Sequence, residues 1–530
     1  MSAPAANDYD EVPYGSFTHA QSHPDRLAVV ATLLGLRPPP VERCRVLELG
    51  CESGGNLLPM AQTLPESTFV GVELSARQAA EGRQVAADLG LRNVELRQMS
   101  ILDIGPDLGR FDYIVAHGVY SWVSPPVQDR ILHICAEHLD PSGIAYVSYN
   151  TYPGWHLRGI IRELMRYRAR RFPAPRDRIA PAREVIALLA RSVPADHSPY
   201  SLLLQSGVEL LRHSRDEHLF HEYLEECNDP VYFHQFVERA EDRGLRYLGE
   251  AELAEMLPRN FSPQVQQVLG QISSGAVEME QYMDFLRNST FRQTLLCHRD
   301  VLPSSNLDPG RLTGLHVASP VRSASPGLDV ASSVAAKFQG PENTTLSVTG
   351  PLLKAAMVVL SEAWPGTLPF AELCSRARIR LGVPRLNDPA AATVDAQLLA
   401  ADLLAIYTSM TCSRCVELTP RPLRLAARPG ERPRATPLAR WQATAGTSAA
   451  NLRHQNVPLG KLHRQVLRCL DGAHDRAALV EATAALVAQG AFVIRRQNES
   501  VSEPEAVRQV LRHDIEVALN ELAASSFLME

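Results

Sequence analysis

Lysine is almost absent from this chain of 530 residues, which carries only Lys337, Lys354 and Lys461 beside fifty arginines. The formal net charge is −6, and a chain without a basic excess is not typical of general nucleic-acid binders. The longest apolar stretch near the start, LAVVATLLGL, is too short to cross a bilayer. We therefore expect no nucleic-acid partner and no membrane partner.

The nine cysteines are an odd number without a pairing pattern, which favours reduced thiols. Cys412 and Cys415 form a lone CxxC pair, and zinc would need two further ligands at suitable spacing. We therefore expect a cytoplasmic protein with no bound metal.

The stretch from Arg45 to Ala61, RVLELGCESGGNLLPMA, predicts a strand, a tight turn and the start of a helix in succession. Gly50 and Gly54 let the backbone turn and approach a ligand closely, and Asn56 is a favourable N-cap residue. This order of elements is typical of a nucleotide-type cofactor site and indicates an enzyme.

Glu48 precedes the first glycine, and the pattern E-x-G-x-x-x-G resembles the first motif of class I S-adenosylmethionine (SAM) methyltransferases. Dinucleotide folds instead carry G-x-G-x-x-G. Glu73 ends the next apolar run, TFVGVE, where a carboxylate can accept both ribose hydroxyls. Another doubly wound domain without SAM is the alternative. The resemblance implies the following cofactor-binding residues: Tyr14, Ser16, Glu48, Gly50, Cys51, Gly54, Asn56, Glu73, Leu74, Ser100, Ile101, His117 and Gly118.

Longer segments extend the resemblance over nearly the whole chain, at residues 7–28, 117–123, 144–164, 221–240, 291–300 and 451–472. They are similar to a bacterial family that carries a methyltransferase regulatory domain. That family includes the rickettsial protein-lysine methyltransferases, which modify outer-membrane proteins. One departure is Glu52, which stands where the family has a small residue. It would repel the methionine carboxylate of SAM unless its side chain turned outward, as we expect.

The order of strand and helix patterns predicts an α/β fold with a Rossmann-like class I methyltransferase core, a helical insertion and C-terminal winged-helix-like α-rich modules. We expect the core over residues 1–170, a helical regulatory or lid region with the closing strands over 171–300, a linker over 301–350 and the modules over 351–530. The modules would bind protein or close a homodimer. A chain cut after about Asp300 should then still bind SAM.

Methyl transfer is an in-line displacement, so its main demand is a neutral nucleophile held along the axis of the bond that breaks. His117, Tyr120, Tyr149 and Asn150 follow the fourth and fifth predicted strands, where α/β folds place their sites. We expect these four residues to act in catalysis, with core packing as the alternative.

Two further groups have two interpretations each. Trp122 and Trp155 would be either core residues or walls of an aromatic cage. Three arginines share one face of a predicted helix, which would be either solvated or a site for an acidic substrate: Arg158, Arg162 and Arg166. The resemblance favours a protein or peptide lysine as acceptor. The alternatives are a small-molecule or peptide natural-product O- or N-methyltransferase and a SAM-binding regulator without turnover.

Overall fold

The computed structural model describes residues 15–530 apart from 195, 213, 305, 383–387, 491, 497–498 and 502, so Tyr14 lies outside the described residues. At its centre is a sheet of seven strands: β1 (Arg45–Leu49), β2 (Thr68–Glu73), β3 (Val94–Gln98), β4 (Phe111–Ala116), β5 (Leu139–Asn150), β6 (Leu245–Glu250) and β7 (Phe291–His298). Their spatial order is β3-β2-β1-β4-β5-β7-β6. Strands β1 to β5 are parallel, and β7 is antiparallel to β5 and β6.

The apolar runs of the sequence form these strands because the inner ones are buried on both faces. The helices before β5 are α1 (Pro24–Leu33), α2 (Leu57–Thr63), α3 (Ala76–Asp88) and α4 (Pro125–His138). The predicted Rossmann-like core is therefore confirmed.

The predicted helical insertion before the sixth strand is also confirmed. It consists of α5 (Gly154–Ala169), α6 (Ile179–Ser192), α7 (Pro199–Arg212), α8 (Asp216–Tyr223) and α9 (Phe233–Glu241). Met165, Leu204 and Phe220 belong to a separate small core that holds the first four of these helices together. Between β6 and β7 lie α10 (Pro263–Ile272) and α11 (Ala276–Arg287).

Two of the three arginines on α5 connect it to α8 and the loop that follows. Arg162 is buried and donates to the backbone carbonyls of Glu222 and Glu225, and Arg158 forms an ion pair with Glu222. Arg166 pairs with Glu163 of the same helix at the surface, as a solvated face would. Arg158 and Arg162 therefore differ from both expected interpretations, because their partners lie within the protein.

Residues 301–350, where we expect a linker, contain β8 (His316–Ala318), β9 (Arg322–Ser323), β10 (Ala336–Gln339) and β11 (Thr345–Val348). Val317 and Phe338 are fully buried in the same core as Leu27 of α1. This segment is thus part of the folded body, although its Ser, Pro and Gly content predicts irregular structure. Our division of the chain into domains stays a prediction.

The C-terminal region confirms the winged-helix-like pattern of short sheets and helices. The first unit contains α12 (Pro351–Ala363), β12 (Leu368–Pro369), α13 (Phe370–Arg380), α14 (Pro389–Tyr407) and β13 (Glu417–Thr419), with β8 pairing between β12 and β13. The second contains α15 (Pro437–Ala445), β14 (Ser448–Ala450), β15 (Asn456–Pro458), α16 (Lys461–Arg468), α17 (Arg476–Ala488), β16 (Arg495–Arg496), β17 (Glu499–Ser500) and α18 (Pro504–Ala524).

Helix α14 is, within the described ranges, the one helix that is long and apolar enough to span a membrane by length and composition. Leu399, Leu403 and Leu404 of this helix are buried in the main hydrophobic core. One side of the helix therefore packs in the core, whereas Val394 and Leu398 are exposed.

Polar contacts tie the first winged-helix-like unit to α1 of the core. Arg421 forms two hydrogen bonds of 2.9 Å with the carboxylate of Asp25, and Arg26 donates to the hydroxyl of Tyr407 at 2.6 Å. These side chains are largely buried, so the two parts share one interior.

Strands β6 and β7 and helix α11 are joined by a buried ion cluster around Arg292. Its Nη1 lies 3.0 Å from Glu250 Oε1 and 2.9 Å from Glu280 Oε2, and its Nε lies 2.9 Å from Asp284 Oδ2. All four side chains are buried, and burial raises the pKa of Glu280 to about 7 against the opposing effect of Arg292. One guanidinium is therefore the shared partner of three closely spaced carboxyl groups.

Replacing this guanidinium should destabilise the fold strongly. Arg292→Met leaves buried carboxyl groups unpaired, and we expect a loss of about 3–5 kcal/mol in the free energy of unfolding, measured by urea denaturation. Arg43→Met is the control because Arg43 and Glu66 form an exposed pair, worth less than about 1 kcal/mol. Equal losses in the free energy of unfolding for the two variants would contradict a stabilising role of the buried ion cluster.

Candidate active site

The turn after β1 brings the backbone close to the edge of the sheet. Gly50 has a φ of 71°, and a Cβ placed on it would lie 2.6 Å from Val119 Cγ2. The backbone N–H groups of Gly50 and Cys51 both donate to Val72 O. Gly54 has a φ of 79°, which glycine adopts without strain. Both glycines are therefore required by the turn, and Cys51 is a buried packing residue within it.

Glu73 lies at the end of β2 and is held by the backbone. Its Oε2 accepts from the N–H of Glu52 at 3.0 Å, and its Oε1 accepts from the N–H of Ser75 at 2.8 Å. The backbone thus orients this carboxylate at the end of β2, the place where the resemblance puts the acceptor of the ribose hydroxyls of SAM.

An apolar surface lies next to Glu73. Leu74 is 59% exposed, and the N–H of Met99 donates to Glu73 O, which brings the segment after β3 beside it. Ser100 and Ile101 in that segment are half-buried. An adenine ring would fit against this surface, and the assignment of Ser100 and Ile101 to the cofactor stays a prediction.

Glu48 is buried, and one of its oxygens has no partner. Oε1 accepts from Asn56 Nδ2 at 2.7 Å, whereas the buried Oε2 has no hydrogen bond. Burial raises the pKa of Glu48 to about 7. A buried carboxylate oxygen without a donor is costly, and the ammonium group of SAM would satisfy it. The residues present therefore fit the cofactor. Asn56, in contrast, does not cap α2 with its side chain as expected, because its amide binds Glu48.

Glu52 is not turned to solvent, so the expected outward rotation is wrong. Its φ is 51°, and its half-buried side chain lies beside Ser16. Burial is the largest of the effects that raise its pKa to about 8, and Glu48 and Glu73 add to it. Ser16 accepts from the N–H of Gly55 at 2.8 Å, so this part of the N-terminal segment lies against the turn.

His117 lies after β4 in a stack of rings. Its ring centroid is 3.7 Å from that of His19, and its Nδ1 lies 2.8 Å from the hydroxyl of Tyr146. Burial lowers the pKa of His117 well below its usual value. The imidazole is therefore neutral and a weak base. Gly118 beside it is exposed at a φ of 66° and leaves the backbone open to the cleft.

Three other predicted catalytic residues are buried. Tyr120 and Tyr149 are each 1% exposed, and both pack against the ring of Phe236. The hydroxyl of Tyr149 is bonded to Thr294, which also binds the carboxyl group of the buried Glu250. Their expected position on an acceptor channel is therefore replaced by core packing.

Asn150 lies in a similar position at the end of β5. Its Nδ2 donates to Asn228 Oδ1 at 2.9 Å, and its backbone N–H donates to Ser121. Asn228 belongs to the loop after α8, and the sequence analysis predicted no site residue in that loop. The loop lies in the segment CNDPVY, which is similar to the family, but nothing in its chemistry singled out Asn228.

Aromatic side chains form a rim beyond β4 and β5. Trp122 is half-buried and meets Trp155 edge to face at 6.2 Å. Tyr152 stacks on His156 at 4.1 Å and lies 5.2 Å from Tyr232. We call Trp122, Tyr152, Trp155, His156 and Tyr232 the aromatic rim. It lies at the carboxyl edge of the sheet, on the side where an acceptor would enter.

Comparison with known proteins decides the class. Family models match as a methyltransferase domain at residues 46–143, a predicted methyltransferase regulatory domain at 215–298 and the C-terminal winged helix domain of PKMT at 431–527. An uncharacterized protein of Rickettsia prowazekii, RP789, is 34% identical over 513 residues, which cover 95% of this chain and 90% of the relative. The chain belongs to this methyltransferase family.

Two further similar proteins support the assignment of this chain to the methyltransferase family. The structure of PKMT2 from Rickettsia typhi in complex with AdoHcy is 31% identical, with a TM-score of 0.86, over 97% of this chain and all of that one. A second R. prowazekii protein, RP028, is 41% identical over 240 residues, which are 45% of this chain and 96% of the relative. The methyltransferase is therefore SAM-dependent, with the fold, class and cofactor that the sequence predicts.

The oriented carboxylate of Glu73 generates one prediction for the methyltransferase. Glu73→Gln should weaken SAM binding at least about tenfold, because a charge-assisted hydrogen bond is worth about 1.5–3 kcal/mol. Isothermal calorimetry with SAM measures the change. Glu95→Gln is the control, since Glu95 is exposed on the neighbouring strand and pairs with Arg97. If Glu73→Gln and the wild type bound SAM with equal affinity, Glu73 would not be a SAM-binding residue.

The inward position of Glu52 generates a prediction for stability. A carboxyl group whose folded-state pKa is raised costs stability once the pH exceeds its unfolded value, so the cost grows between about pH 5 and pH 8. Glu52→Gly should remove this cost together with about 1 kcal/mol of backbone strain. The gain in melting temperature over wild type should therefore increase with pH. Glu342→Gly is the control for the backbone strain, because Glu342 also has a positive φ, of 53°, but is exposed and pairs with Arg414.

Proposed function

We propose that this methyltransferase transfers the methyl group of SAM to lysine side chains of a protein. The full-length likeness to the protein-lysine methyltransferase PKMT2 is the observation that carries the proposal. The aromatic rim supports it, because half-buried rings at the acceptor edge of the sheet are suited to an alkylamine chain.

The aromatic rim also affects the protonation state of the acceptor lysine. SAM supplies an electrophilic methyl group on a sulfonium, and the attacking amine must be neutral. Burial among rings disfavours the ammonium form and lowers the pKa of a lysine. His117 is too weak a base to hold that proton, so we infer that the lysine loses it to solvent on entry. The enzyme then contributes mainly by positioning the neutral amine.

The helical insertion supplies surface for a polypeptide. Tyr167 on α5 and Tyr200 and Leu202 on α7 are each at least 45% exposed. Exposed apolar side chains on two helices of the insertion favour a polypeptide over a small metabolite. We also propose a cytoplasmic location and a homodimer without nucleic-acid or membrane partners.

The acceptor is tested with SAM labelled in its methyl group and bacterial outer-membrane protein extract. We expect label in protein, at lysines identified by mass spectrometry. Self-modification adds little background, because the chain has three lysines and Lys354 is buried. Label only in small extractable products would instead support the small-molecule alternative, and absence of any transfer would support the regulator.

The rim is tested by Trp122→Ala. We expect kcat/KM for the protein acceptor to fall at least about tenfold, because a lost ring contact and its burial are worth more than about 1.4 kcal/mol. The Kd for SAM should stay within about twofold, since the rim lies beyond the cofactor turn. Trp441→Ala is the matched control, because Trp441 is 43% exposed on α15. A parallel loss of SAM affinity in Trp122→Ala would place Trp122 in the cofactor site instead.

A further inference from the structure

Asn56 is a buried amide in which every hydrogen-bonding position is used. Nδ2 donates to Glu48 Oε1 at 2.7 Å and to Ser22 Oγ at 3.0 Å. Oδ1 accepts from the backbone N–H of His19 at 2.9 Å and lies 2.6 Å from His454 Nε2. An amide has two donors and two acceptor positions, so the group is saturated.

These contacts fix the orientation of the amide and the tautomer of His454. The backbone N–H of His19 can only donate, so the atom that faces it must be the amide oxygen. That oxygen can only accept, so His454 Nε2 carries a hydrogen. One amide hydrogen is then directed at Glu48 and the other at Ser22. His454 thus lies behind the carboxylate that we assign to the ammonium group of SAM.

His454 comes from the second winged-helix-like unit and is held rigidly. It lies in the turn between β14 and β15, 398 residues after Asn56. Its neighbour Asn451 accepts from two backbone N–H groups of the same turn and donates to Ser525 O. Arg453 in that turn forms an ion pair with Glu417 and donates to Ser526 Oγ at 3.0 Å. The turn is therefore anchored to both winged-helix-like units.

The charged and titratable groups around this contact come from several elements. Glu52 and Glu73 face Glu48 from the turn after β1 and the end of β2. His19 and His23 approach His454 from the N-terminal segment, and behind them lies the ion pair of Asp25 with Arg421. Burial lowers the pKa of His19 to about 4 and that of His23 to about 3, and lowers that of His454 well below its usual value. The three histidines are thus neutral at physiological pH.

We propose that His454 is a positioning residue for SAM, which holds the Asn56 amide against Glu48 and so makes the cofactor site depend on the C-terminal unit. No winged-helix contact with the cofactor itself is needed. The contact argues against the expectation that a chain cut after about Asp300 would bind SAM, because that chain would lack His454 and the residues that cover α1.

The test compares two amide replacements in the full-length protein. His454→Gln places an N–H close to the position of Nε2, whereas the side chain of His454→Asn is too short to reach Asn56. Asn tolerates the φ of 57° at this position, so this variant should fold. By calorimetry at about pH 7.5, we expect the Kd for SAM to rise about tenfold in His454→Asn and to stay within about threefold in His454→Gln.

The pH dependence of SAM binding separates positioning from simple stability. In a Glu52→Gln background, affinity should rise with pH between about 6 and 8 as Glu48 ionises, because SAM binds the ionised form. His454→Asn should move the midpoint to higher pH, since a misplaced amide stabilises the carboxylate less. His454→Gln should restore it.

His463→Leu is the control. His463 pairs with Glu521 within the C-terminal unit, so SAM affinity and midpoint should match those of the Glu52→Gln parent. The proposal is overturned if His454→Asn and His454→Gln bind SAM alike, or if His454→Asn only lowers the melting temperature. SAM affinity and its pH midpoint are measured without any acceptor. A negative result for His454 would therefore not bear on the proposed lysine acceptor, and a different acceptor would not bear on the proposed role of His454.

Discussion

Burial of carboxyl groups at the carboxyl edge of the sheet is the constraint on which the cofactor cleft depends. Glu48, Glu52 and Glu73 surround one glycine turn, and the partners that hold them are an amide, a hydroxyl and backbone N–H groups. Neutral donors offset only part of the cost of desolvating a carboxylate. The remaining cost is lowered when a cation arrives, so the cleft is matched to a ligand that carries a sulfonium and an ammonium group.

Local signals predicted the core of the enzyme well. The apolar runs predicted β1, β2 and β4, because buried parallel strands are almost continuously apolar. Glu73 was predictable because a carboxylate that ends the second strand has a fixed place relative to the turn after the first. The closing strands β6 and β7 were also predictable, since each combines an apolar run with a preceding polar break.

Other features could not be read from local sequence. Tyr120 and Tyr149 follow the correct strands, but position near a strand end does not specify which way a side chain points, and theirs point into the core. The strands of 301–350 have two to four residues, which is too short for a periodic pattern. His454 meets Asn56 across 398 residues, and no local pattern encodes such a contact.

That long separation has a consequence for synthesis of the protein. Domains generally fold from the N-terminal end as the chain leaves the ribosome. The strands that carry Glu48 and Glu73 emerge early, but the histidine that completes the support of Glu48 emerges when more than four-fifths of the chain has been made. An unfinished or prematurely terminated chain therefore lacks the support that we propose for Glu48, and we expect such a fragment to bind SAM more weakly than the full-length protein.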